Sequence, residues 1–289
     1  MALLKEIKSR IQSIRSTQKI TSAMMMVSSA KLRKTQQIIE NLYPYEQKLS
    51  QLLHILLSEE KEIISPFTEQ RTIQRVAIVA FSSNVSLAGR FNNNIADTLE
   101  VVVKSYRSLG KENIVVYPIG EKVTKAALNL GLEIQGNYDD ISEKPTYEAM
   151  QKIAGELMDM FLTGTIDRVE LIYHHFRSKS SQIIMQETFL PIALKVGKET
   201  DVALEYIVEP DTESILHLLI PKTLKLQLYT AHVDSVTSEH AARMTAMQMA
   251  TDNAEELTDD LTLEYNKLRQ QSITNELLDI VGSSFGQHS

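Results

Sequence analysis

The chain has 289 residues, 43% of them hydrophobic, which is enough to fill the cores of roughly two domains. Its formal net charge of −7 argues against a protein that binds nucleic acid mainly through phosphate contacts. Cysteine is absent, so disulfides and cysteine-based metal sites are excluded. No apolar run approaches the ~18 residues that a membrane-spanning helix requires.

The first region, residues 1–57, is predicted to be one long helix of a coiled coil. Residues 2–57 contain no glycine and only one proline, Pro44. Positions at alternating spacings of mostly three and four residues follow a heptad pattern, which is typical of a left-handed coiled coil. They are Leu4, Ile7, Ile11, Ile14, Gln18, Thr21, Met25, Ser28, Leu32, Thr35, Ile39, Leu42, Leu49, Leu53 and Leu56. An amphipathic helix packed on a domain is the alternative, and the length of the pattern disfavours it.

A polar linker over residues 58–75 is followed by a region, 76–209, in which predicted strands alternate with predicted helices. The strands are expected at Val76–Phe81, Ile114–Ile119, Val169–Phe176, Gln182–Leu190 and Val202–Val208. The helices are expected at Asn92–Leu109, Glu121–Leu130 and Thr146–Leu162, with a glycine after each of them. This alternation predicts an α/β domain with an open, mostly parallel sheet.

The last region, 210–289, is predicted to form the second long helix, beginning at Pro221. Its helical spacing is carried by Val233, Met244, Met247, Ala250, Ala254, Leu257, Leu261 and Leu268. Two helices that leave one central domain must run antiparallel if they pair. The second is the longer and should extend alone by one or two turns. That end carries Ile273, Leu277, Leu278, Ile280 and Val281, so we expect it to sit in a hydrophobic socket of another protein.

Charge is distributed unevenly between the two ends. Residues 1–35 carry eight basic side chains and a single acid, Glu6, whereas residues 252–264 carry six acids and no base. Opposed blocks of this kind suit two antiparallel helices or two different partners, and each block can equally be a solvated face.

No catalytic, cofactor-binding or metal-binding residue is predicted. The loop after Phe81 contains only Gly89, so it lacks the glycine-rich turns that bind phosphates. His174 and His175 are neighbours in a predicted strand and would point to opposite faces, which makes a shared metal ion unfavourable. The pattern therefore indicates a scaffold rather than a catalyst.

Both terminal segments resemble those of a known family. The segment LKEIKSRIQSIRSTQKITSAMMMVSSAKLRKTQ closely resembles the first helix of the gamma subunit of F-type ATP synthases. The segment SEHAARMTAMQMATDNAEELTDDLTLEYNKLRQQSITNELLDIVG resembles the last helix of that family, and LAGRFNNNI resembles its LCGGFN segment. The sequence departs from the family at Asn84-Val85-Ser86, Ala88 and Arg90.

The resemblance implies a non-catalytic rotor shaft that couples ion-driven rotation of the membrane c-ring to ATP synthesis in the beta subunits. Implied partners are the alpha and beta subunits, the epsilon subunit and the c-ring, with one copy per complex and no nucleic acid. The expected location is peripheral, on the cytoplasmic face of the bacterial inner membrane. Implied beta-subunit contacts are Met24, Arg243, Arg269, Gln270 and Thr274.

Two other functions fit a long helical pair attached to an α/β domain. One is a coiled-coil adaptor that does not rotate, and the other is an enzyme with a helical dimerisation arm. Stoichiometry separates them, because a rotor shaft should occur once per three alpha–beta pairs and a dimeric enzyme as two copies of itself.

Overall fold

A computed structural model describes residues 2–59, 65–192, 208–209 and 211–286, and it contains two long helices. Helix α1 spans Ala2–Glu59 and helix α5 spans Thr212–Gly286. The chain divides into two compact units. The first combines Met1–Ser28 with Met244–Ser289, and the second is Ser29–Arg243.

In the first unit, α1 and α5 pair along a strip of buried residues. The hydroxyl groups of Thr21 and Thr251 lie 2.7 Å apart across the interface. The helices run antiparallel, so facing residues have numbers that add up to about 272, as 21 and 251 do. The pairing of the two ends predicted from the sequence is thus confirmed.

The heptad pattern predicted for α1 is also confirmed. Every one of its positions is buried or partly buried, including the polar ones. Thr21 and Ser28 are 8% and 3% exposed. The polar heptad residues therefore belong to the interface and are not interruptions of it.

The pattern predicted for α5 is wrong at one position. Leu257 is 50% exposed, and its neighbour Thr258 is buried instead. The buried strip follows a regular alternation of four and three residues through Met247, Thr251, Ala254, Thr258 and Leu261. A prediction that considers only apolar residues chooses the leucine, whereas the interface position is occupied by the threonine.

The second unit contains the sheet and the shorter helices. Its strands are β1 (Val76–Phe81), β2 (Ile114–Ile119), β3 (Glu133–Ile134), β4 (Arg168–Ser178) and β5 (Ser181–Leu190). Its shorter helices are α2 (Phe91–Ser105), α3 (Glu121–Leu130) and α4 (Tyr147–Leu162). The strand order is β3-β2-β1-β4-β5, parallel except for β5, which runs antiparallel to β4.

Helices cover both faces of this sheet. Side chains of α1, α4 and α5 pack on one face with Val79 and Phe81 of β1. Side chains of α2 and α3 pack on the other face with Ile78 and Ala80 of the same strand. Since β1 and β2 are covered on both faces, all six residues of each are buried, as the uninterrupted apolar runs predict.

Several bounds differ from the prediction, most of them by one or two residues, and two helices differ by more. Helix α5 begins at Thr212, so Pro221 lies inside it. Helix α2 ends at Ser105 and is followed by a short 3-10 turn, Arg107–Leu109. The two-residue strand β3 was not predicted, and the strand expected at Val202–Val208 falls outside the described residues apart from Val208.

Candidate functional site: the helical pair and the polar segment of α5

Four of the five predicted partner contacts lie in the first unit. Arg269, Gln270 and Thr274 are exposed on α5, and the Thr274 hydroxyl donates to the Gln270 carbonyl oxygen at 2.9 Å. Met24 on α1 is partly buried, whereas its neighbour Met26 is 63% exposed. These side chains are placed where a surrounding protein could reach them, and their contacts stay a prediction.

The fifth predicted contact residue, Arg243, lies in the second unit, and its guanidinium already forms hydrogen bonds within the chain. Its guanidinium donates to Glu239 at 2.5 Å and to the carbonyl oxygen of Val85 at 3.1 Å. Burial raises the pKa of Glu239, and the Arg243 charge opposes that shift. Arg243 thereby ties α5 to the loop after β1, so a partner would have to share its guanidinium with that loop.

Among the described residues, no helix faces the apolar end of α5. By the register of the pair, Ala2 faces about residue 270, and α5 continues to Gly286. That extension is about 24 Å long, or roughly four turns, which is longer than the one or two turns predicted. Ile273, Leu277 and Leu278 are 49%, 58% and 63% exposed there. The side chains of Ile280 and Val281 lie outside the described part.

The two charged blocks lie side by side but do not pair. The register places residues 8–20 of α1 beside residues 252–264 of α5. All six acids of the second block are exposed, and the described residues form no ion pair between the blocks. The helical pair therefore presents a basic and an acidic surface to its surroundings.

The carboxyl end of the sheet, where α/β folds commonly bind ligands, is closed by side chains of the chain itself. The Asn84 side-chain oxygen accepts from the Glu121 backbone N–H at 3.0 Å, and the Ser82 hydroxyl accepts from the Val123 N–H at 2.9 Å. Donors at the start of α3 that could hold an anion are thus already satisfied.

The two neighbouring histidines of β4 do lie on opposite faces. His174 stacks on Phe91 at 4.4 Å between ring centroids, and burial lowers its pKa to about 4. His175 faces α1 and α5 instead. Among the described residues, no group of three or more histidine or acidic side chains is arranged to hold a metal ion.

Sequence reasoning missed a polar cluster that joins three elements. His175 Nδ1 lies 2.8 Å from Asp234 Oδ2 on α5 and 3.1 Å from the Tyr43 hydroxyl on α1. The backbone N–H of Phe176 donates to Asp234 Oδ1 at 2.7 Å. Burial raises the pKa of Asp234, and these hydrogen bonds oppose the shift. An aspartate between Val233 and Val236, in a buried stretch of helix, was the available signal.

Comparison with known proteins shows what class of protein combines these features. A family model described as ATP synthase matches residues 3–284. Curated ATP synthase gamma chains of Bacteroides thetaiotaomicron and Bacteroides fragilis are 52% and 51% identical to the chain. Each match covers 98% of this chain and 99% of the relative.

Solved structures give the same fold at lower identity. A chain of the Euglena gracilis mitochondrial ATP synthase matches with a TM-score of 0.64 at 16% identity, covering 99% of this chain and 95% of its own length. One from the central stalk and c-ring of the Tetrahymena thermophila enzyme matches with a TM-score of 0.57 at 23% identity, covering 80% and 99%.

The chain combines two long terminal helices, paired in the first unit, with a mostly parallel α/β sheet in the second unit. It belongs to the gamma-chain family of ATP synthases. No described helix is both long and apolar enough to span a membrane.

Proposed function

We propose that this chain is the central rotor shaft of an F-type ATP synthase. It couples rotation of the membrane c-ring to conformational change in the catalytic beta subunits. The supporting observation is the antiparallel pair of α1 and α5, whose longer helix continues as about four unpaired turns with exposed apolar side chains. The gamma-chain family supplies the assembly in which such a pair is a shaft.

The shaft acts through differential contact. It is asymmetric, because α1 is basic and α5 acidic at the same height along the pair. Each of three chemically identical beta subunits therefore meets a different surface at any moment. A partner shifts a conformational equilibrium only by its different affinity for the states, so a turning asymmetric shaft can move each subunit through its states in order.

The proposed partners follow from the same assembly. The ring of alpha and beta subunits surrounds the helical pair, with Met24, Arg243, Arg269, Gln270 and Thr274 meeting beta subunits. The apolar end of α5 sits in the ring, and the α/β domain meets the epsilon subunit and the c-ring. We propose that the complex lies on the cytoplasmic face of the bacterial inner membrane.

The proposed organisation has four parts. Residues 1–57 and 210–289 supply the helices of the shaft, 58–75 a linker, and 76–209 the α/β domain.

Stoichiometry in the native complex tests this function directly. Purification through a tag on the beta subunit should yield one copy of this chain per three alpha–beta pairs. Two copies that purify without alpha and beta subunits would instead support an enzyme with a dimerisation arm. Recovery with a different partner and no ATPase activity would support an adaptor.

Contact residues can be tested separately from assembly. Replacing both Arg269 and Gln270 by alanine should slow ATP turnover of the complex, because an exposed guanidinium can hold a carboxylate through two parallel hydrogen bonds. The thermal transition of the isolated chain should not change, since both side chains are exposed. Lys267→Ala on the same stretch of α5 is the matched control. If it slowed turnover equally, a specific contact of Arg269 and Gln270 with the beta subunit would be contradicted.

A further inference from the structure

The buried carboxylate of Asp234 is directed at the sheet. Its side chain is 3% exposed. One oxygen accepts a backbone N–H of β4, and the other lies beside the His175 ring of the same strand. A buried charge reduces stability unless it is paired and hydrogen-bonded, and here two groups of β4, the Phe176 N–H and His175 Nδ1, lie within hydrogen-bond distance of it. Apolar side chains of the same volume could be buried there at a lower cost in folding free energy.

The cluster connects the two long helices through one strand. Tyr43 belongs to α1, His175 and Phe176 to β4, and Asp234 to α5, all within the second unit. The same helices also pack on this face of the sheet through an apolar cluster, and the Ser238 hydroxyl of α5 donates to the His174 carbonyl oxygen of β4 at 3.2 Å. The hydrophobic effect is not directional and by itself fixes no particular distance or angle. Charge-assisted hydrogen bonds fix distance and angle.

We propose that Asp234 is a positioning residue that locks α1 and α5 to the sheet against torsional slip. The proposal rests on the proposed rotor function, in which torque passes between the α/β domain and the helical pair. Under load the helices tend to rotate against the sheet. The hydrogen bonds of Asp234 to β4, together with the Tyr43 hydroxyl at the same histidine, oppose that rotation at the place where both helices meet the strand.

The test compares two buried carboxylates in complete complexes. Asp234→Asn keeps the shape of the side chain but removes its charge. Glu170→Gln is the matched control, because Glu170 is also buried and bonded to a tyrosine and a basic residue. Its partners, Tyr106, Arg168 and Thr188, belong to neither α1 nor α5. Both changes should lower the thermal stability of the isolated chain.

The deciding measurement is the number of ions pumped per ATP hydrolysed by membrane vesicles, without and with an opposing ion gradient. Asp234→Asn should lower that ratio under the gradient by about twofold or more, within the range by which single residues change coupling between sites. Glu170→Gln should leave it unchanged. An unchanged ratio in Asp234→Asn, or an equal loss in both variants, overturns the proposal.

A milder variant keeps the test decisive if Asp234→Asn does not assemble. Tyr43→Phe removes one hydroxyl and leaves the ring in place, so a smaller loss under the gradient is expected, and no loss would overturn the proposal. Failure of the proposed rotor function would give a different result. Wild-type vesicles would then not contain one copy of this chain for each alpha–beta ring, and they would not pump ions when ATP is hydrolysed.

Discussion

The sheet of the second unit and the helical pair of the first unit achieve stability in different ways. Strands β1 and β2 are buried at every residue, with apolar packing on both faces. The helical pair buries only a narrow strip, and that strip includes Thr21, Ser28 and Thr258. The sheet is stabilised by the amount of apolar surface that it removes from water. The pair is specified by which residues fit together.

Threonine suits the helical pair because its hydroxyl can be satisfied by its own helix. Thr251 and Thr258 each donate to the carbonyl oxygen four residues earlier, at 2.8 Å. Such residues tolerate a buried position without depending on a partner across the interface. Because these side chains are small, α1 and α5 can approach closely, and because they are polar, their burial contributes only modestly to the stability of the pair.

The strongest test of this comparison removes one large side chain from each region. Phe161→Ala in the sheet core, where the ring is fully buried, should lower the free energy of unfolding by about 3–5 kcal/mol. Leu261→Ala in the helical pair should cost about 2 kcal/mol, at the low end for this substitution, because water can reach the narrow strip. Urea unfolding of the two variants measures both; a larger loss for Leu261→Ala would contradict the comparison.

A backbone position should give the next largest effect. Gly120 has a φ of +108°, and a Cβ there would lie 2.3 Å from the Ser82 carbonyl oxygen. Gly120→Ala should therefore destabilise the second unit by about 1–3 kcal/mol. Gly155→Ala inside α4 is the control, since a Cβ there would have no atom within 4 Å apart from its own chain neighbours and helix backbone, and a helical alanine should stabilise by roughly 0.5–1 kcal/mol. Thermal unfolding measures both changes in stability. If both variants were stabilised or both destabilised, the argument from the positive φ of Gly120 would be wrong.

A pH-dependent effect is expected in the second unit. Burial lowers the pKa of His174 to about 4, below the value near 6.5 of an unfolded histidine. The unfolded chain then binds more protons at this residue, so stability is lost as the pH falls from about 6.5 towards 4. Both ring nitrogens of His174 lack a hydrogen-bond partner among the described residues.

His174→Phe removes this titration and keeps an aromatic ring beside Phe91. Its advantage in unfolding free energy over the wild type should grow as the pH is lowered, by at most about 1.4 kcal/mol per pH unit. His217→Phe, at an exposed position of α5, is the control for the effect of replacing a histidine by a phenylalanine without burial. Urea unfolding at pH 7.5, 6 and 5 decides; a constant difference between wild type and His174→Phe would show that the histidine does not titrate as argued.

The smallest effect is expected at the threonine pair. Replacing Thr21 and Thr251 together by valine removes both hydroxyls while keeping the shape, which should change stability by less than about 1 kcal/mol, in the stabilising direction. Replacing Thr21 alone should give an intermediate change, because the Thr251 hydroxyl keeps its hydrogen bond to the Met247 carbonyl oxygen. A large loss in the double variant would mean that the interhelical hydrogen bond, and not the packing, holds the pair together.

Local patterns predicted much of this fold. The apolar run Val76–Phe81 has the same bounds in the sequence and in the structure, because polar residues follow it directly. Helix α3 ends where Gly131 adopts the left-handed conformation, as the glycine indicates. These elements are defined by neighbours in sequence, so they can be read without the tertiary structure.

The start of α5 was predicted wrongly because proline was taken as its first residue. The actual signal is Asp211, whose carboxylate accepts the backbone N–H of Ser214 at 2.8 Å. This hydrogen bond lowers the pKa of Asp211 and satisfies a donor in the first turn. Pro221 removes only one backbone hydrogen bond, and buried Leu219 and Ile220 hold the helix on the sheet around it.

The candidate site was predictable only in part. The partner contacts came from resemblance, and no local pattern distinguishes Arg269, which is exposed, from Arg243, which is bound within the chain. The cluster of Tyr43, His175 and Asp234 unites residues that are 132 and 59 positions apart. Only the tertiary structure brings them together.

The fixed register of the helical pair limits how such proteins can change in length. Deleting seven residues of α1 before Ser28 would preserve the alternation of buried positions and would bare a further ~10 Å of α5. Deleting five residues would instead turn the remaining buried positions towards solvent. Insertions and deletions tolerated here should therefore come in sevens, so that the reach of the protein evolves in discrete steps.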